Sequence, residues 1–240
     1  MTLNLHTVQG SESSAPPRIG NRLLASLPEQ DLEQVEALCE LVDLEAGDVL
    51  FEPGEAVQHI YFPCDALVSL LAVAEGRMTL EVGSAGREGM VGASVALGQR
   101  TAQVRAVVQR SGLALRMEAD DFIAEFEALE TLQHLLCRYT DTLLAQAIQI
   151  AVCSRFHVLE ARLARSLLIT RDRLQSDKFH MTHEFLAHAL GVRRVGVTKA
   201  ASALQGQGLI SYSRGNIEIL DPAGLEAVSC RCYQQVRGPA

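Results

Sequence analysis

Residues 182–210 read THEFLAHALGVRRVGVTKAASALQGQGLI, and the spacing of apolar, small and basic positions in this stretch decides the C-terminal half of the fold. Phe185, Leu186 and Leu190 form the apolar stripe of a short helix, with Thr182 placed as its N-cap and Gly191 just past its end. A second helix follows, for which Val195, Val197, Ala200, Ala203 and Leu204 are the expected buried face. Arg193, Arg194, Thr198, Lys199 and Ser202 are left pointing outward. Ala187 and Gly191, four apart, let the two helices approach closely, so the pattern predicts a helix-turn-helix. An ordinary αα-hairpin has the same spacing, and the residues that follow favour the first reading. After Gly208, residues 209–213 (LISYS) and 217–220 (IEIL) read as two strands around a glycine turn, with Arg214 at its tip. Such a wing beside a helix pair presents the second helix's N-terminal turn to the major groove of double-stranded DNA. His183, near the start of the first helix, is placed to donate to a backbone phosphate.

Charge is distributed in keeping with that reading. The chain of 240 residues carries a net charge of −8, yet residues 155–214 hold ten Lys and Arg against four Asp and Glu. Residues 1–154 hold nine against 22. A basic segment within an acidic chain suits phosphate binding, because nonspecific affinity comes largely from neutralised phosphates and released counterions. Arg162, Arg165, Arg171 and Arg173 belong to the preceding helix, where a solvated helix face explains them equally well.

The remaining length requires a further domain upstream. Residues 45–117 change texture, with β-rich runs at 48–51, 57–62, 67–71, 78–82, 104–108 and 113–117. Glycines at 47, 54, 76, 83, 86, 89, 92 and 112 supply the corners. An antiparallel double-stranded β-helix, or jelly roll, is the expected architecture, with helical lead-ins at 23–27 and 30–41. The fold class is therefore α+β. Its expected parts are a flexible leader (1–20), a β-roll sensor domain (21–128), a long dimerisation helix (129–155), a winged helix-turn-helix (156–225) and a C-terminal tail (226–240). On the long helix, Leu132, Leu136, Tyr139, Leu143, Gln146, Ile150 and Cys153 recur at steps of four and three. That period predicts a homodimer seam with Gln146 as a polar register marker, while packing on the chain's own roll is the alternative.

Other chemistries find little support. His183 and His188 around HEFLAH are five apart, about 500° around a helix, so they diverge from one face rather than forming a zinc-protease pair. No nucleophile elbow, P-loop or dinucleotide fingerprint occurs, and an enzyme is not expected. The cysteines at 39, 64, 137, 153, 230 and 232 include no C-x-x-C pair. Cys230 and Cys232, on alternate positions, fall short of a closed metal site, so no metal is expected. No apolar run is long enough to span a membrane and the opening residues do not read as a signal peptide, which points to the cytoplasm.

With lead-in helix, β-roll, long helix and winged helix-turn-helix in this order, the chain resembles the Crp/Fnr superfamily of bacterial transcription regulators from about residue 20 onward. Residues 47–55 (GDVLFEPGE) and 57–62 (VQHIYF) match the opening of the family's roll, and residues 181–210 match its DNA-binding motif. The resemblance implies a homodimer on a near-palindromic DNA site, with RNA polymerase as a further partner and a sensor domain that orients two recognition helices. Cyclic-nucleotide binders of the family carry a Gly-Glu-Leu turn, whose Glu holds the ribose, followed by Arg-Ser/Thr-Ala, whose Arg holds the cyclic phosphate. Residues 100–106 (RTAQVRA) keep the second part, so Arg100 and Thr101 are the implied anion site. Residues 89–95 (GMVGASV) keep Gly89 and Gly92 but place Ala93 where the Glu stands, with Ser94 as a weak substitute. On the long helix, Ala147 and Ile148 replace the Thr-Ser pair that faces the purine, beside Gln146. The resemblance thus implies either a small anion or a nucleotide other than cyclic AMP as effector, or a constitutive regulator with none.

The recognition helix departs from the family's Arg-Glu-Thr-x-x-Arg as well. Residues 194–199 read RVGVTK, so Arg194 keeps a guanine contact while Val195 cannot accept from cytosine and suits a thymine methyl instead. A cyclic-nucleotide-binding module acting on a protein partner, without transcription control, is the competing reading. It would not require the outward basic set or the wing.

Overall fold

The computed structural model describes residues 20–75 and 78–236, so the expected leader lies, except for its last residue, outside the described residues, as does the turn glycine at 76. A 3-10 turn (Leu24–Ser26) and helix α1 (Glu29–Ala37) lead into the roll. The roll is built from β1 (Glu40–Leu44), β2 (Val49–Phe51), β3 (His59–Pro63), β4 (Leu67–Val73), β5 (Thr79–Ala85), β6 (Arg105–Arg110) and β7 (Gly112–Glu118). Two antiparallel sheets, ordered β1-β7-β3 and β2-β6-β4-β5, face each other across a core that includes Phe51, Ile60, Phe62, Val68, Ala106, Val108 and Met117. Alternation sets the register: Ile60 lies opposite Met117 and Phe62 opposite Leu115. Gly112 begins β7 against the backbone of Ala66, where a Cβ would sit 2.6 Å from the Ala66 nitrogen. The expected helix at 30–41 ends early, because residues 40–44 pair in register with residues 112–116 of β7. Ladder pairing there overrides a weak helical preference.

Helix α2 (Ala119–Ala128) leads into α3 (Glu130–Phe156), a 27-residue rod about 40 Å long. Its N-terminal half lies on the roll, burying Leu132, Leu135, Leu136 and Tyr139. The Tyr139 hydroxyl donates to the Met90 carbonyl at 2.9 Å and accepts from the Met90 N–H at 3.0 Å. This corrects the expected dimer seam. Leu132, Leu136 and Tyr139 are covered by their own chain, Leu143 packs beside them, and Gln146 and Ile150 line a small cavity against the next helix. The outward apolar residues are Leu144 (59% exposed), Ile148 (56%) and Val152 (41%), followed by Phe156 at the helix end. The covered residues recur at steps of four and three and the outward ones at steps of four, so either set reads as an apolar helix face, and the roll's position distinguishes them.

After His157 and Val158 the chain enters α4 (Leu159–Leu174), then β8 (Lys178–His180), α5 (His183–Leu190), α6 (Arg194–Gly206), β9 (Ile210–Ser213), β10 (Asn216–Ile219), α7 (Pro222–Val228) and α8 (Cys232–Val236). A second core gathers Leu163, Leu167, Phe179, Leu186, Val197, Leu204, Ile217, Leu225 and Tyr233. Strand β8 is absent from the expected elements, and it completes a wing sheet ordered β8-β10-β9. Residues 226–236 are also not a loose tail. Leu225 and Tyr233 are fully buried, and Pro222 starts α7 behind its Asp221 cap.

Candidate nucleic-acid interface

Thr182 caps α5, its hydroxyl accepting from the Phe185 N–H at 3.1 Å, and Gly191 ends the helix in the left-handed region at φ 64°. Both local signals place the turn where the sequence pattern expects it. Helix α6 buries Val197, Ala200, Ala201 and Leu204, an i, i+3, i+4, i+7 face. Val195 does not belong to that face. It is 66% exposed, since two residues before Val197 lies about 200° around the helix. Arg193 is the N-cap and Arg194 the first helical residue; with Thr198, Lys199 and Ser202 they are all exposed. None of the three cations makes an ion pair among the described residues. Val195 extends this face and offers it an apolar contact.

The wing turn is a two-residue hairpin in which Arg214 (φ 50°) and Gly215 (φ 86°) are both left-handed. Asn-Gly is the usual pair in such a turn, so Arg214 accepts backbone strain to place an exposed guanidinium at the tip. His183 is held differently from the expected phosphate contact. Its ring stacks on Tyr212 at 4.0 Å, its Nδ1 lies 3.1 Å from the Thr198 hydroxyl, and its buried Nε2 has no partner among the described residues. Burial, with Arg194 adding to it, lowers its pKa. His183 thus braces α6 from within. His188 faces elsewhere, with its Nδ1 3.2 Å from the Thr79 hydroxyl, so the two histidines share no metal.

The arginines of α4 are not a solvated face. Arg162 and Arg165 are 8% and 6% exposed, and Arg162 donates to the Leu190 carbonyl at the end of α5. Arg173 reaches into the roll, donating to Glu88 at 3.0 Å, to the Ser84 hydroxyl and to Gln146 Oε1 at 3.3 Å. Arg171 is taken up by Asp177 at 2.5 Å and Asp172 at 3.6 Å. Helix α5 meets β5 nearby, where the Thr79 hydroxyl donates to the His188 carbonyl at 3.0 Å. Beneath this junction Glu81 accepts from Ser69 at 2.8 Å, and burial raises its pKa.

The six residues expected to form an effector pocket do not converge. Arg100 is paired with Asp120 at 2.6 Å with its side chain 60% exposed, and Thr101 is exposed beside its bridge to Ala56. Gly89 lies under the Tyr139 ring and Gly92 against Ile60, the latter at φ 95° opening the turn that contains Ser94. Gln146 belongs to Arg173 instead. The cavity lined by Glu81, Gly83, Ser84, Gln146 and Arg173 holds about 30 Å³, space for one water rather than a nucleotide.

One constellation is invisible to sequence reading. Cys153 and His157 at the end of α3 meet Cys230 and Cys232 beside α8, all four ligand atoms within 4.8 Å of one another. The C-terminal pair alone looks incomplete because its partners lie more than seventy residues upstream.

Comparison with known proteins agrees with this architecture. Residues 41–128 match the model of the cyclic nucleotide-binding domain and residues 161–228 that of the Crp-like helix-turn-helix domain. The chain belongs to the Crp/Fnr family of transcription regulators. Among solved structures it is similar to a CRP/FNR family regulator from Thermus thermophilus, with 25% identity and a TM-score of 0.67 over 79% of this chain and 98% of that one. FixK2 from Bradyrhizobium japonicum shares 13% identity at a TM-score of 0.70, covering 80% and 98%. A crp/fnr family regulator from Eubacterium rectale shares 17% at 0.68, covering 86% and 96%. Comparison with curated protein sequences gives no match. No helix among the described residues is long and apolar enough to cross a membrane.

Proposed function

We propose that this Crp/Fnr-type regulator is a cytoplasmic homodimer that reads a near-palindromic DNA site with α6 and acts on transcription through RNA polymerase. The observation that carries the reading is the exposed set Arg193, Arg194 and Lys199 on α6 and its cap, unpaired among the described residues, together with Arg214 at the wing tip. These cations flank a helix N-terminus, which favours phosphates and brings Arg194 to base edges. The Leu144, Ile148 and Val152 stripe is the surface we assign to the partner, because an apolar helix face of this kind is costly to leave in water. Replacing Leu144 and Ile148 with Lys is expected to yield a folded monomer in sedimentation and to weaken DNA binding. An unchanged dimer would place the interface elsewhere.

The effector, if it is nucleotide-like, is not cyclic AMP. Ala93 supplies no carboxylate for a ribose, and Arg100 is engaged with Asp120. Loss of one charged hydrogen bond alone costs about 1.5–3 kcal/mol, roughly a tenfold to hundredfold loss of affinity. Calorimetric titration with cyclic AMP is expected to show no submicromolar site. Tight binding that also raises DNA affinity would overturn this part of the reading.

A further inference from the structure

We propose that Cys153, His157, Cys230 and Cys232 bind one zinc ion in a tetrahedral site that clips the C-terminal segment to the hinge between α3 and α4. The four residues come from two separate segments. Cys153 and His157 lie four apart at the last turn of α3, so they share one side of the helix end, and His157 is its cap residue, its N–H bonded to the Cys153 carbonyl at 3.2 Å. Cys230 lies in the short link between α7 and α8, and Cys232 opens α8. Cys153 Sγ lies 3.4 Å from Cys230 Sγ, and Cys232 Sγ lies 3.5 Å from His157 Nδ1.

Those separations identify the class of occupant. A tetrahedral zinc with bonds of about 2.3 Å to sulfur and about 2.0 Å to nitrogen spaces its ligand atoms about 3.5–3.8 Å apart. The contacts of 3.4 and 3.5 Å need only a few tenths of an ångström of adjustment, and the widest separation in the group, at most 4.8 Å, closes to zinc geometry with a shift of about one ångström. A four-iron cluster assigns each thiolate to a different iron and would spread them further. Three cysteines and one histidine are a ligand set of structural zinc, soft enough to select it over magnesium or calcium.

The surroundings are arranged for thiolates. A zinc ion with three thiolates and a neutral imidazole carries one net negative charge, which a buried site must offset. Arg162 and Arg165 lie beside the cluster, both buried, and Arg165 Nε and Nη1 have no hydrogen-bond partner among the described residues. Gln149 Nε2 donates to Cys232 Sγ at 2.7 Å, the kind of outer contact that fixes a ligand's direction.

The site's position gives it a consequence. His157 and Val158 are the only residues between α3 and α4, so a metal bound to His157 and to the segment after α7 fixes the angle at which the winged helix leaves the long helix. If α3 is the dimer helix proposed above, that angle also sets the spacing of the two recognition helices.

Elemental analysis of the untagged full chain, purified without chelator, is expected to find one zinc per chain. His157→Ala, at a half-buried position, and Cys230→Ser should each lose it. Because a cysteine change also touches a buried cluster, a second measurement uses the wild-type chain stripped of metal and titrated with cobalt(II). One equivalent should produce the visible bands of tetrahedral, thiolate-bound cobalt, and zinc should bleach them. A metal-free chain that gives no such bands, a Cys153–Cys230 disulfide in the freshly purified protein, or iron–sulfur absorption would each overturn the proposal. None of these readouts depends on DNA, so they succeed or fail separately from the regulator reading.

Discussion

Helices α4 and α6 belong to one domain and both carry clustered positive charge, yet they spend it in opposite directions. On α4, Arg162 and Arg165 are buried, Arg173 is inserted into the roll, and Arg171 is held by acidic neighbours. On α6 and its cap, Arg193, Arg194 and Lys199 face water with no acidic partner among the described residues. The difference arises from what lies on each side. Helix α4 has neighbours on more than one side, so Arg162, Arg171 and Arg173 are taken up by a carbonyl and by carboxylates. Helix α6 has a single buried face. A count of basic residues along the chain therefore overstates the surface offered to phosphate, and orientation decides which charges take part.

The comparison can be broken first at α4. Arg162→Ala leaves the Leu190 carbonyl without its donor and opens space in a buried layer, and is expected to lower stability by about 3 kcal/mol. A urea midpoint that does not move would show that this cation is not structural. On α6 the effect should fall on binding and leave melting unchanged. Arg194→Ala is expected to cost about 2 kcal/mol on the preferred duplex and to relax base choice, whereas Lys199→Ala should weaken all duplexes evenly and reduce the salt slope by about one. Equal losses on matched and mismatched duplexes for Arg194→Ala would place that residue on phosphate only.

The smallest effect concerns His183, which lies between the two regimes. Its pKa is held below the usual value of 6.5 by burial first and by Arg194 second. A folded-state pKa below the unfolded one means that its stabilising contribution is complete above about pH 6.5 and is lost as pH falls through the folded value. Thermal melts in that acidic range should show a steeper loss for the wild type than for His183→Gln. Parallel losses would remove His183 from the account.

The features legible in the sequence are the local ones. Thr182 and Gly191 announce the ends of α5 through backbone chemistry that needs no tertiary information, and alternation with glycine corners announces six of the roll's seven strands. Strands β1 and β8 stay hidden because each is short and is held by its partner rather than by its own pattern. The repeat on α3 falls on the stripe that the roll covers, for a similar reason. A four-three repeat states that a helix has an apolar face, and it does not state whether the roll or a second chain covers it. Val195 is misleading because two apolar residues near the start of α6 look like one face. Cys153 and His157 carry no signal at all, since their partners are brought to them only by the turn after α7.

The central claim is that α6 reads DNA, and selection of bound duplexes from a random pool, run with the wild-type chain and with Arg194→Ala, tests it most directly. The account predicts that the wild type enriches an inverted repeat with guanine at a fixed position in each half-site, and that Arg194→Ala loses the preference at that position. Failure of the folded, dimeric wild type to enrich any duplex, or enrichment of the same sequence by Arg194→Ala, would contradict it.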